Sequence, residues 1–391
     1  MKSFQINELK VPVPIVQGGM GVGVSLAGLA SAVANMGGIG VIATVGIGVI
    51  GNKPYQNFRQ ANIDALRLEI RKARNLTNGI LGVNIMVALT NYDDLVKTSI
   101  EENIDIIFSG AGLALDLPKY LTKDTKTKLA PIVSSARATK IIFEKWKNSY
   151  GYIPDAIVVE GPLAGGHLGF SYDQINQKEF QLENLVSEIL EIIKPYEKDT
   201  NRKIPLIAAG GIYTGKDIFN FLQMGASAVQ MGTRFVATHE CDASLEFKEQ
   251  YIKALPEDID IIKSPVGMPG RAIINPYLKK MNEGEKKPVK CQYHCIKTCN
   301  YKETDYCIAN ALVQAQLGNL KDGFAFSGSN AFKVDKIVSV KEVFDAIKKE
   351  YNDHISLLNK SNKNKIIQHS EKPKPLLIPS FKSEKSSKSL G

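Results

Sequence analysis

The chain has 391 residues, 44% apolar and 23% charged, with a formal net charge of +9. These are the proportions of an ordinary globular protein, long enough for one large barrel with additions or for two to three smaller domains. No apolar run reaches the roughly 18 residues that span a bilayer, and the N-terminal stretch has no signal-peptide core, so a cytoplasmic protein without a membrane partner is expected. From Lys360 to Gly391 eight lysines stand against Glu371 and Glu384, a net +6 that leaves only +3 for the body. Lysines scattered among Ser, Asn and Pro describe a solvated tail rather than a groove for nucleic acid, and no nucleic-acid partner is expected.

In chain order, eight short apolar runs alternate with helix-patterned segments: PIVQGG at 14–19, GIGVIAT at 38–44, LGVNIMV at 81–87, IDIIFSG at 104–110, LAPIVSS at 129–135, AIVVEG at 156–161, IPLIAAGG at 204–211 and AVQMGTRF at 228–235. The runs are continuously apolar, as parallel strands covered on both faces should be. Amphipathic stretches such as SLAGLASAVANM, YDDLVKTSIEEN, ATKIIFEKWKNSY, FQLENLVSEILEIIKPYEK and TGKDIFNFLQMG lie between them. The alternation predicts a (β/α)8 TIM barrel over residues 1–240, with a doubly wound open sheet as the alternative. Residues 241–358 read as a C-terminal segment, partly helical and partly extended, packed on the barrel. CDASLEFKEQYIKA, CIANALVQAQLGN and VSVKEVFDAIKKEY read as helices there, and SPVGMPGRAIINPYLKKM as an extended connection. Residues 359–391 read as a basic disordered tail.

A barrel places its chemistry at the C-terminal ends of its strands. Gly18, Gly19 and Met20 follow the first run, Asn84 lies late in the third, and Gly165, Gly166 and His167 follow the sixth. Gly210 and Gly211 follow the seventh, and Gly232 and Thr233 lie late in the eighth. Two small-residue openings at successive late strands, the first leading into a helix whose opening turn presents free N–H groups, predict a phosphate site. The glycine-rich GMGVGVSLAG lacks the spacing and the following acid of a dinucleotide fingerprint.

PIVQGGMG, GVNIMV, VVEGPLAGGHLG, IPLIAAGGI and AVQMGTRF, in this order over about residues 11–240, resemble the FMN-dependent nitronate monooxygenases (2-nitropropane dioxygenases) and the related flavin-dependent enoyl-ACP reductases. The resemblance implies a non-covalent FMN across the barrel mouth. Gly18, Gly19 and Met20 would run against the flavin ring and Asn84 would hydrogen-bond it. Glu160 and Gly165 would flank it, and Gly210, Gly211, Gln230, Met231, Gly232 and Thr233 would hold the phosphate. His167 aligns with the family's catalytic histidine, and an imidazole titrates where it can move a proton at neutral pH. The other histidines, His239, His294, His354 and His369, have no comparable setting. Two departures stand out: Glu160 occupies a position commonly Gln in the nitronate enzymes, and Pro162-Leu163 replaces a pair that usually contains Glu.

The expected activity is oxidation of alkyl nitronates, small-molecule substrates, with O2. The alternatives are an NADH- or NADPH-dependent enoyl-ACP reductase acting on an enoyl thioester, and a flavin-binding accessory or redox-sensing module. Cys291, Cys295, Cys299 and Cys307 fall within 17 residues. On a helix the first three would share a face, as free thiols, a redox sensor or ligands of zinc or an iron–sulfur cluster; free thiols are the leading expectation and no metal is assigned.

Overall fold

The computed structural model describes residues 1–50, 57–287, 290, 291 and 293–370. A short antiparallel ribbon, β1 (Phe4–Ile6) and β2 (Leu9–Val11), precedes the first barrel strand, β3 (Ile15–Gln17). The barrel continues through α1 (Ala27–Asn35), β4 (Gly40–Ala43), α2 (Phe58–Leu76), β5 (Leu81–Met86), α3 (Tyr92–Glu101), β6 (Ile106–Gly110), β7 (Lys128–Val133), α4 (Ala136–Tyr150) and β8 (Ile157–Glu160). A two-residue strand, β9 (Gly166–His167), interrupts the alternation before α5 (Leu182–Thr200), β10 (Leu206–Ala209), α6 (Gly215–Gln223) and β11 (Ala228–Met231). After β6 a single 3-10 turn at Leu117–Tyr120 stands where a helix would complete the unit.

The eight parallel strands run β3-β11-β10-β8-β7-β6-β5-β4, and a parallel bridge between Val16 and Ile39 joins the two ends. The TIM-barrel expectation is therefore met, and the open doubly wound sheet is set aside. All eight apolar runs contain a strand. Val16, Val41, Ile106, Phe108, Ala130, Val158, Ile207 and Ala228 fill the barrel core. Phe4, Ile6 and Val11 of the ribbon bury against the same cluster. The core thus leaves the C-terminal ends of the strands as the place for a cavity.

Local signals set the helix boundaries. Asn57 caps α2 by accepting from Gln60 N–H (3.1 Å), and Ser135 caps α4 by accepting from Ala138 N–H (3.1 Å). Helix α4 ends at Gly151, whose φ of 59° suits a glycine C-cap.

Beyond the barrel lie α7 (Thr233–Val236), α8 (Leu245–Lys253), β12 (Ile259–Lys263), β13 (Pro269–Ile273), α9 (Pro276–Asn282), α10 (Ile308–Gln316) and α11 (Val340–Ser370). The extended connection expected over SPVGMPGRAIINPYLKKM is instead the turn and second strand of a hairpin followed by a helix. β12 pairs antiparallel with β13, and β13 pairs with β9, placing Gly270 opposite His167 and Arg271 opposite Gly166. The pairing carries the reason: β13 finds its second partner a hundred residues upstream.

The chain divides after Tyr351 into two compact units. Helix α11 extends to Ser370, into the segment expected as a basic tail; residues 371–391 of that segment lie outside the described residues. No helix among the described residues is long and apolar enough to cross a membrane.

Candidate active site

A cavity of about 470 Å³ opens at the C-terminal ends of the barrel strands. Its lining includes Gly18, Gly19, Met20, Asn84, Glu160, Gly165, His167, Gly210, Gly211, Gln230, Met231, Gly232 and Thr233, so every residue expected at the site reaches one space. Of the four clustered cysteines only Cys295 joins them.

The first wall is backbone. Gly18 N–H donates to Met231 O (2.9 Å), and Met20 N–H donates to Ser25 Oγ (2.8 Å). The buried Gln17 braces this turn from behind: its amide donates to Gly18 O and its Oε1 accepts from Val41 N–H (2.9 Å). A Cβ on Gly19 would lie 2.3 Å from Asn84 Cβ, so only glycine lets this wall meet β5. The result, at Gly18 and Gly19, is a stretch of wall without side chains, suited to a planar ring.

The second wall comes from the ends of β10 and β11. Gly210 and Gly211 have φ of +97° and +79°, a backbone that glycine adopts without strain. The first turn of α6 is not the open anion site expected from sequence. Thr214 and Asp217 form a capping box, with Asp217 Oδ2 accepting from Tyr213 N–H (3.1 Å) and Thr214 N–H (2.8 Å). Gly215 N–H donates to Glu350 Oε2 (2.7 Å), and Glu350 also pairs with Arg234 (2.6 Å). Those donors are spent within the protein.

What faces the cavity instead is the segment 327–330, which the sequence did not mark. Gly328 N–H donates to Thr233 Oγ1 (3.2 Å), and Asn330 donates from Nδ2 to Gly211 O (2.7 Å). Ser327 is buried on the cavity wall, and its Oγ has no partner among the described residues. A buried hydroxyl without a partner is costly. A ligand with oxygen acceptors at this end would satisfy it.

The third wall is the loop after β8. Arg271, buried on β13, donates from Nε to Ala164 O (3.2 Å) and from Nη2 to Pro162 O (2.9 Å). A residue from beyond the barrel thus fixes the unusual Pro162-Leu163 stretch. His167 Nε2 lies 2.7 Å from Ser264 Oγ, and its ring meets Phe326 edge-on at 5.0 Å. Burial lowers the imidazole from its ordinary 6.5 to about 4, so the ring is neutral at physiological pH. Burial also raises the Glu160 carboxyl from 4.5 to about 7. Two titratable groups on one wall are therefore displaced in opposite directions, the pattern of acid–base sites. Ser264, Arg271 and Ser327 had no sequence signal, because nothing local ties them to a barrel strand.

The cysteines do not share a helical face. Residues 291 and 293–295 have no regular structure, and Ile296 makes a single antiparallel bridge to Leu89 before a turn. Backbone pairing with the loop after β5, through Thr90 N–H to Cys295 O (3.1 Å) and Lys297 N–H to Ala88 O (2.9 Å), overrides the helical spacing.

A family model described as nitronate monooxygenase matches residues 2–350. A probable nitronate monooxygenase of Staphylococcus aureus is 28% identical over 310 residues, 71% of this chain and 79% of that protein. A (3aS,4S,5R,7aS)-5-hydroxy-7a-methyl-1-oxo-octahydro-1H-indene-4-carboxyl-CoA dehydrogenase of Mycobacterium tuberculosis is 28% identical over 70% of this chain. That match spans 66% of the mycobacterial protein, just under two thirds of its length. Among solved structures, FabK from Thermotoga maritima superposes with a TM-score of 0.68 at 30% identity, over 90% of this chain and 96% of that one.

Proposed function

Because the chain belongs to the nitronate monooxygenase family, we propose that it is an FMN-dependent oxidoreductase that oxidises alkyl nitronates with O2, with His167 as acid–base residue. The observation that carries this reading is the neutral, buried imidazole of His167, held at the cavity wall by Ser264. The cavity suits FMN on its own features. Gly18 and Gly19, without side chains, offer a flat face before Met20, and Asn84 an amide beside it. Ser327 Oγ, Gly211, Gly232 and Thr233 offer small polar groups on the adjoining wall. Glu160 and Gly165 flank the space between, and Gly210, Gln230 and Met231 complete the phosphate end. The chemistry FMN supplies when bound is acceptance of electrons from the substrate and their delivery to O2.

The chain's own contribution is placement and proton transfer. Where the substrate arrives as the parent nitroalkane, a neutral imidazole can take its α-proton to form the nitronate, whereas an imidazolium could not. The Nε2–Ser264 bond fixes the ring plane and couples its tautomer to the serine hydroxyl. Met268, Phe326 and Leu312 add apolar surface that excludes water from this end of the cavity.

A second reading is favoured by Glu160. A carboxyl that titrates near neutrality can donate a proton, as reduction of an enoyl thioester by NADH or NADPH requires. One experiment separates the two. Purified yellow protein is mixed anaerobically with an alkyl nitronate, with NADH and with NADPH, and the flavin absorbance is followed. A change with nitronate alone is expected, and the change seen when the parent nitroalkane is added in its place should be lost in His167→Ala. Rapid bleaching by a nicotinamide, followed by turnover of a crotonyl thioester, would overturn the nitronate reading. Full activity in His167→Ala would point to an accessory role for the histidine loop.

A further inference from the structure

Residues 282–305 pose a physical problem. Among those described, none is buried, and apart from the end of α9 and one isolated bridge none lies in a helix or strand. Holding irregular chain in one conformation costs backbone entropy, which burial of apolar side chains normally offsets. Here that compensation is small: Tyr293 packs on the cluster of Val22, Val49 and Val313, with its ring 5.6 Å from that of Phe58.

The segment is nevertheless tied into a loop. Lys287 N–H donates to Asp305 O (2.8 Å) and closes its base. Its middle is fastened to the barrel rim by the Leu89–Ile296 bridge, by Thr90 Oγ1 donating to His294 O (2.7 Å), and by Lys297 Nζ donating to Val87 O (3.0 Å). Tyr293, Cys295 and Ile296 of this loop line the cavity. A loop with little apolar support therefore builds one wall of the candidate active site.

Four thiols are gathered in it. Cys291, Cys295 and Cys299 lie within the loop, and Cys307 stands two residues past its base as the N-cap of α10. Cys295 is within electrostatic range of all three others, and Cys299 and Cys307 are each within range of Cys291. Cys291 Sγ also accepts from His294 N–H (3.3 Å). All four are free thiols at this geometry.

We propose that Cys291, Cys295, Cys299 and Cys307 form a four-thiolate centre for a soft metal, zinc or an iron–sulfur cluster, that staples this loop and so shapes the cavity wall. Four sulfur ligands select these thiophilic centres over calcium or magnesium. A centre of this kind adds ordering energy to a loop with little apolar support, as in small metal-stabilised folds. Among the described residues no three His, Cys, Asp or Glu side chains yet converge into a finished coordination sphere. Binding therefore draws the sulfurs inward, which an irregular loop accommodates by local rotation. The flanking bonds to the barrel rim remain in place. Cys295, on the cavity lining, sets the centre beside the candidate active site.

The test uses the full chain with its flavin, purified without oxygen or chelators. Metal, acid-labile sulfide and free thiols are quantified per chain. One equivalent of zinc without sulfide, or iron with matching sulfide and a broad visible absorbance beyond that of flavin, is expected, with the four clustered thiols protected from a thiol reagent in the native protein until the metal is removed by acid or chelator. A Cys299→Ser variant should lose most of the metal, and its loop should be cut at least tenfold faster by trypsin while flavin content stays the same. Metal-free protein with five titratable thiols would overturn the proposal. So would disulfides among these cysteines, or a Cys291→Ser, Cys299→Ser double variant with unchanged metal content.

Discussion

Replacing Glu160 with glutamine tests the electrostatics of the cavity with little change in shape. In the unfolded chain Glu160 titrates near its ordinary 4.5, and in the folded chain burial raises it to about 7. The stability linked to its protonated form is complete below the unfolded value and is lost as pH rises through the folded one. At about 1.4 kcal/mol per pH unit, the loss amounts to about 3 kcal/mol. His167 acts in the opposite sense. Its folded value of about 4 lies below the ordinary 6.5, so its contribution is present above 6.5 and is lost as pH falls through 4. This too is worth about 3 kcal/mol. In the native protein the two nearly cancel over most of the range, and Glu160→Gln unmasks the histidine. Urea unfolding of flavin-free wild type and variant, below about pH 4.5 and above about pH 7.5, should show the variant gaining about 3 kcal/mol relative to wild type toward high pH. Groups common to both proteins drop out of that difference. A wild-type-to-variant difference that is the same at both ends of the range would refute the claim that the cavity holds Glu160 protonated.

Gly19→Ala should cost about 1–3 kcal/mol and weaken retention of bound flavin, because its Cβ would fall 2.3 Å from Asn84 Cβ and 3.2 Å from Val41 Cγ1; thermal unfolding and flavin content read both effects. Arg271→Met leaves the Pro162 and Ala164 carbonyls without their donor, so unfolding in urea should show a loss of about 2 kcal/mol or more, with kcat falling as the His167 loop loosens. Asp242→Ala removes the acceptor shared by the N–H groups of Leu26, Gly28 and Leu29 at the start of α1, and a loss of about 2 kcal/mol with little change in the pH profile of activity is expected. An Asp242→Ala protein as stable as wild type would show that the cap is dispensable.

The barrel was legible because parallel strands covered on both faces must be apolar at every position, and such runs stand out from amphipathic neighbours. Helix α2 is harder to read. Its buried apolar side chains are only Leu66, Ile70 and Ala73 in a segment crowded with arginine and other polar residues. The cavity-lining glycines were legible too, since few reasons put glycine pairs at successive strand ends. The phosphate end shows where that reasoning stopped. Thr214, Asp217 and Glu350 consume the donors of α6, and Glu350 comes from 135 residues downstream. Cys291, Cys295 and Cys299 have a helical spacing, yet pairing to the loop after β5 holds their chain irregular.

By itself the sequence determined the strands, their order along the chain, and the strand-end residues that a shared barrel mouth must bring together. Those features follow from local apolar patterning and from the one way eight β/α units close. Only the tertiary structure decided the surroundings of His167: Ser264 against its Nε2, Phe326 against its ring, Arg271 holding the loop before it, and, next to Phe326, Ser327, whose Oγ has no partner among the described residues. Each comes from residues 264–327, beyond the barrel strands. Their effect depends on burial and on partners a hundred residues apart, which no local pattern encodes. The same burial lowers the His167 imidazole and raises the Glu160 carboxyl.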